Sequence, residues 1–238
     1  VFKFIFIIKD SKFDFNNKLN VAFIGKDSTE VVSFSPNNKS ISILKLETKV
    51  ESKDLTKTLQ VPIDGVIYNN AKIIDKKNLS SSLFKSFIPF GEKKEKMTSI
   101  DSFKLFLFSR SVSSNSIYTR ELIKGLNENQ KSTIVSLSFT DPKIYEESLS
   151  IEIINATGIF GLGGRLATFI SNIGGNVVLI TSDDNLDNKS KIVYSGEETY
   201  TIKKLSSILG FPLEKAGKKG IADVIIIIGK EKDDKYNF

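Results

Sequence analysis

Ile151-Glu152-Ile153-Ile154 runs directly into Asn155-Ala156-Thr157-Gly158-Ile159-Phe160-Gly161-Leu162-Gly163-Gly164-Arg165, and a helical pattern follows. A short apolar run bounded by turn residues reads as a buried strand, and the glycines after it read as a tight turn into a helix. A glycine loop at a helix start also presents backbone N–H groups that can hold an anion. Downstream, Gly174-Gly175-Asn176-Val177-Val178 reads as glycine then strand, Asn185 and Asp187 lie in a polar loop, and Lys191-Ile192-Val193-Tyr194 reads as a strand. Residues 197–209 place Tyr200, Leu205, Ile208 and Leu209 near helical spacing, and Gly210 with Pro212 supplies the stop. The run from Ala222 to Gly229 closes the pattern as a strand too apolar for an open edge, so a central position is expected. The order β-α-β-β-α-β predicts an α/β two-layer sandwich, with two helices on one face of a four-stranded sheet.

In that order these features resemble the carboxy-terminal domain of bacterial LytR-type cell-envelope proteins. The matching residues are Ile154-Asn155-Ala156-Thr157-Gly158, Gly161-Leu162 and Arg165-Leu166-Ala167, followed by the glycine-strand, polar-loop and Tyr-ended strand segments above. The resemblance covers about residues 150–230. It implies a domain of the cell envelope, with residues 231–238 as a tail.

Working outward, Leu19-Asn20-Val21-Ala22-Phe23-Ile24-Gly25 reads as a buried strand, and residues 30–35 and 40–46 as a hairpin turning at Pro36-Asn37-Asn38-Lys39. Residues 54–59 form a short polar helix or loop, and 66–74 are strand or helix. Helices are expected at 80–90, stopping at Pro89, and at 100–108 and 119–127, with a solvated loop at 90–98 and a strand at 133–139. Together these make a smaller mixed α/β domain over residues 19–149.

This half partly resembles the LytR-CpsA-Psr domain that precedes the LytR-type tail in many family members. Asn20 to Ser28 is similar to its opening strand and Gly-x-Asp-Ser turn, and the hairpin is similar to the segment after it. The family's Pro-Arg-Asp-Thr element has no counterpart, since Glu47-Thr48-Lys49-Val50 follows Leu46. The later arginine motifs find one Arg each, in Ser109-Arg110-Ser111 and Tyr118-Thr119-Arg120-Glu121. The resemblance therefore leaves Asp27, Arg110 and Arg120 as remnants of a pyrophosphate and Mg2+ site, and the half reads as a degenerate, inactive relative. The family reaction transfers a polyprenyl-pyrophosphate-linked glycopolymer to peptidoglycan. Such chemistry needs arginine forks and a carboxylate-held cation, and this sequence has three arginines, one of them Arg165 in the other domain.

Composition narrows the chemistry further. The chain contains no Cys and no His, which excludes thiolate chemistry, Ser-His-Asp and Cys-His catalysis, and histidine zinc sites within it. The formal charge of +6 is compatible with an anionic partner, but acidic residues are interspersed with the lysines throughout, so no nucleic-acid surface is expected. Val1 to Ile8 is too short to span a bilayer, which takes about 20 residues. Two readings stay open, the tail of a membrane anchor or leader over residues 1–18 or a buried strand, and the charged stop Lys9-Asp10-Ser11-Lys12 favours the first.

The glycine loop has two readings. Asn155, Gly158, Gly161, Gly163, Gly164 and Arg165 either bind an anion of a wall polymer through free N–H groups of Leu162 to Arg165, or serve only a tight turn and close packing, the favoured reading. The spacing is not Gly-x-Gly-x-x-Gly, so a dinucleotide site is excluded. Residues 183–188 lack the central Gly and terminal Glu of a calcium loop and read as a polar hairpin loop, so no metal site is expected. Tyr194 and Tyr200 read as packing residues rather than a carbohydrate-stacking surface.

The leading expectation is a non-catalytic cell-envelope protein whose LytR-type domain is an interaction or cell-wall-binding module, with no cofactor. Its partners would be a cell-wall polymer or an envelope protein, and its place the extracytoplasmic face of the cell membrane. The alternative is a Mg2+-dependent glycopolymer phosphotransferase using Asp27, Arg110 and Arg120.

Overall fold

The structure, a computed structural model, describes residues 11–69, 73–88, 92–183, 189–217, 221–230 and 238. Residues 1–10, Pro89, Asp184 to Asn188 and most of the tail fall outside them, so the helix-stop and calcium-loop readings do too, as does the anchor reading over residues 1–10. The chain divides into two compact units. The first takes in the described residues up to 55 and 62–139, and the second 56–61 and 140–238.

The first unit is built on β1 (Leu19–Ile24), β2 (Thr29–Ser35) and β3 (Ser40–Leu46), an antiparallel meander in which Ser35 pairs with Ser40 across the expected turn. Helix α1 (Ser52–Leu59) leads to β4 (Gly65–Tyr68), which lies parallel to β1 and makes residues 66–68 of the ambiguous 66–74 segment strand. Helix α2 (Leu79–Phe87), the two-residue β5 (Lys94–Glu95) and α3 (Ser99–Ser111) follow, then β6 (Ile117–Leu122) parallel to β3, and α4 (Glu128–Phe139). The six strands are ordered β5-β4-β1-β2-β3-β6. By register, Val21, Val32 and Ile43 share one face, where Phe13 and residues of α2 and α3 join them in the core. Ala22, Val31, Leu44 and Val66 occupy the other face and are equally buried. Burial on both faces explains why β1 reads as a near-continuous apolar run.

The expectations for residues 119–127 and 133–139 are reversed. Residues 117–122 are a strand, because β3 offers them a ladder from Ile41↔Ile117 to Leu46↔Leu122. The Thr-Ile-Val-Ser-Leu-Ser-Phe run is helix, started by a reciprocal cap in which Asn127 Oδ1 accepts from Gln130 N–H and Gln130 Oε1 accepts from Asn127 N–H. Its buried residues Val135, Ser138 and Phe139 have helical spacing, and the hydroxyls of Thr133 and Ser138 bond back to the carbonyls of Asn129 and Ile134.

The second unit contains α5 (Pro142–Glu147), β7 (Ser150–Asn155), α6 (Leu162–Asn172), β8 (Asn176–Ser182), β9 (Lys191–Tyr194), α7 (Tyr200–Leu209), β10 (Leu213–Lys215) and β11 (Val224–Ile228). The expected β-α-β-β-α-β order is present with one addition. Short β10 pairs parallel to β9, so the sheet has five strands, in the order β10-β9-β11-β7-β8, with β11 at its centre as expected. Ile151, Ile153, Ile192, Tyr194, Val224 and Ile226 share one face and are buried, whereas Ile154, Val193 and Ile225 on the other are partly exposed. Burial that is complete on one face and partial on the other, where Glu152 and Ile227 are also buried, fits a two-layer sandwich.

Polar side chains fix the ends of these elements. Asp223 Oδ2 accepts from the Ser150 N–H and hydroxyl, and Ser150 Oγ accepts from the Asp223 N–H, locking β7 and β11 in register. Glu147 caps α7 by accepting from the N–H groups of Tyr200 and Thr201 and the Thr199 hydroxyl at 2.7–3.0 Å. Burial by itself would raise the Glu147 carboxyl; the bonds from Thr201, Thr199 and Tyr200 outweigh it and hold the group below the usual range. The Tyr200 hydroxyl donates to Asp141 and Tyr194 is buried, so both tyrosines pack as expected.

Candidate functional site

At the end of β7 the Asn155 side chain folds over the following turn. Its Nδ2 donates to the Ile159 carbonyl at 2.9 Å, and its Oδ1 accepts from the Thr157 N–H at 3.2 Å and the Thr157 hydroxyl at 2.7 Å. Thr157 Oγ1 in turn accepts from the Ile159 N–H at 3.0 Å. Asn155 and Thr157 therefore direct their polar atoms into the turn itself. Gly158 (φ 78°) and Gly161 (φ 77°) take the left-handed conformation that the turn into α6 requires. Gly163 has a packing role, since a Cβ there would lie 3.0 Å from Ile180 Cγ2 and 3.5 Å from Asn155 Cβ. Gly164 faces open space, and Arg165 is half-buried in the first turn.

The expectation of free N–H groups from Leu162 to Arg165 is corrected. Leu162 N–H donates to the Ile159 carbonyl at 3.4 Å and Arg165 N–H to the Gly161 carbonyl at 3.0 Å. The donors of Gly163 and Gly164 remain, without a partner among the described residues. Unpaired donors open every helix, so these two do not by themselves define an anion site.

In the first unit Asp27 is exposed in the turn beyond the Ile24↔Thr29 pair. Arg120 lies in β6 opposite Leu44, with its guanidinium 5.8 Å from the Tyr118 ring centre and one Nη buried without a hydrogen bond. Arg110 is exposed in the last turn of α3, 5.8 Å from the Phe106 ring centre. Strands β1, β3 and β6 point the same way, so Asp27 follows the end of β1 while Arg110 precedes the start of β6. Asp27 and Arg110 thus belong to opposite ends of the sheet, and no hydrogen bond or ring contact joins any two of the three residues. Among the described residues, no cluster of three or more carboxylates is placed to hold a metal ion, and no helix is long and apolar enough to cross a membrane.

Glu30, inside β2, is a polar residue that sequence reasoning missed. It is 2% exposed, one carboxylate oxygen has no hydrogen bond, and desolvation raises its carboxyl despite Ser28, the Ile74 backbone and Lys45. A lone Glu in a buried-strand pattern was the available signal.

The second unit carries the decisive comparison. Residues 148–231 match the family model described as LytR cell envelope-related transcriptional attenuator. They form a LytR-type carboxy-terminal domain. In this domain the Asn155-Thr157 turn and the left-handed Gly158 and Gly161 are the same residues that carry the resemblance in sequence. No curated protein matches the chain in sequence. Similar solved structures include TagT of B. subtilis, at 12% identity and TM-score 0.34 over 52% of this chain and 91% of that one. The Lin1025 protein of Listeria innocua matches at 11% identity and TM-score 0.21 over 82% and 99%. A transcriptional regulator of Enterococcus faecalis matches at 12% identity and TM-score 0.22 over 82% and 89%.

Proposed function

We propose that the chain is a non-catalytic protein of the cell envelope whose LytR-type domain serves as an interaction or cell-wall-binding module. The observation that carries this reading is the match of residues 148–231 to a family whose description names the cell envelope. The placement of Asp27 and Arg110 at opposite ends of the sheet supports the non-catalytic part. Transfer of a pyrophosphate-linked polymer needs cationic forks and a carboxylate-held cation around one leaving group. The first unit is, on this reading, a degenerate LytR-CpsA-Psr-like domain. The partner is a wall polymer or another envelope protein, met at the extracytoplasmic face of the membrane.

The test is a pull-down and titration of the purified chain against peptidoglycan and against a polyprenyl pyrophosphate, with and without Mg2+. Peptidoglycan binding that ignores Mg2+ is the expected result. Mg2+-dependent binding of the lipid pyrophosphate, lost in Arg110→Ala and Arg120→Ala, would replace the module reading with the phosphotransferase.

A further inference from the structure

The two sheets end in four edge strands, and three of them are protected against pairing. Strand β5 has two residues, Lys94 and Glu95; β10 has three, of which Glu214 and Lys215 are charged; β6 carries Arg120 and Glu121. Short length and charge are the usual means of blocking edge-to-edge association. Strand β8 has neither. It runs seven residues, Asn-Val-Val-Leu-Ile-Thr-Ser, with no charge and no proline; its ladder to β7 skips Val178, and among the described residues it pairs on one side alone, with β7. None of its residues is buried, Val178 is 51% exposed and Ile180 47%, and Phe160, three residues before Gly163, is fully exposed. Gly163 sets the first turn of α6 against Ile180, so this apolar margin belongs to a fixed part of the domain.

The pattern of β8 also names its occupant. About Leu179 the strand reads alike in both directions: Val178 mirrors Ile180, Val177 mirrors Thr181, and Asn176 mirrors Ser182. A two-fold axis at Leu179 would set two copies antiparallel, with β-branched residues opposite one another and polar residues at both ends. Pairing through β8 sets no charged side chain opposite another. We infer that β8 is a homodimerisation edge, on which a second copy of this chain pairs antiparallel about Leu179 and joins the two five-stranded sheets. This goes beyond the envelope reading and does not depend on it.

The whole chain, followed by sedimentation velocity over a concentration series, tests the inference. The expected result is a monomer–dimer equilibrium. Val178→Lys and Ile180→Glu each raise the dimer dissociation constant by about tenfold or more, because each sets a charge against an apolar partner. Both side chains are about half exposed, so the variants keep the wild-type circular dichroism spectrum. Mixing the two variants restores the dimer, since position 178 of one copy faces position 180 of the other and the ammonium meets the carboxylate. A chain that stays monomeric throughout, a dimer indifferent to both substitutions, or folded variants that fail to recombine would each overturn the proposal.

Discussion

Asp101 and Glu30 are both buried carboxylates, and their surroundings send them in opposite directions. Burial tends to raise the Asp101 carboxyl, but bonds from the Phe13 and Thr98 backbones and the Ser11 and Thr98 hydroxyls outweigh it, and the group lies below its ordinary range. Its pKa is lower folded than unfolded, so its contribution is present above the unfolded value, about 3.9, and is lost as pH falls through the folded one. Asp101→Asn turns two of these donors toward an NH2 group. We expect a loss of about 2–4 kcal/mol in urea unfolding at pH 7, shrinking as the wild type is acidified. Glu30 has the reverse sign. Its raised folded pKa means that stability is fullest below the unfolded value, about 4.3, and falls as pH rises through the folded one. Glu30→Gln is therefore expected to raise Tm at pH 7, with the gain closing near pH 4 in a thermal scan.

At the scale of elements, glycine does different work at neighbouring positions. Gly158 and Gly161 are required by backbone angle, whereas Gly163 is required by the distance between α6 and the sheet. Gly163→Val would push a branched side chain into Ile180, an overpacking cost of about 1–3 kcal/mol measured by denaturant unfolding. Gly164→Ala, with nothing within 4 Å of its Cβ, is the matched control and should be close to neutral. Legibility also varied by element. The hairpin at Pro36 to Lys39 and the strand-loop-helix from Ile151 were readable because their signals are local. Strand β6 was not, because Tyr118, Thr119, Arg120 and Glu121 become a strand through a ladder to residues more than 70 positions earlier. Helix α4 was legible in principle, since Asn127 and Gln130 are a reciprocal cap, but its Thr, Ile and Val content suggested a strand.

Across the whole molecule, the second unit depends on a segment far from it in sequence. Residues 56–61 belong to it, and the buried Asn172 side chain donates to the carbonyls of Leu59 at 3.3 Å and Gln60 at 3.2 Å. Asn172→Ala leaves buried carbonyls short of a donor and is expected to lower the unfolding free energy of the full chain by about 1–3 kcal/mol. Hydrogen exchange at residues 56–61 should report the same loosening.

Apolar periodicity and turn chemistry in the sequence were enough to specify a β-α-β-β-α-β domain with a central last strand, the absence of His and Cys chemistry, and the LytR-type resemblance now matched over residues 148–231. These are short-range properties, written in neighbouring residues. Only the tertiary structure decided that 117–122 is a strand, that a fifth strand pairs with β9, that Asp27 and Arg110 lie toward opposite ends of their sheet, and that β8 alone among the described edges is long and uncharged. Strand order and register arise from hydrogen bonds between distant segments, and no local pattern records which edge is left open.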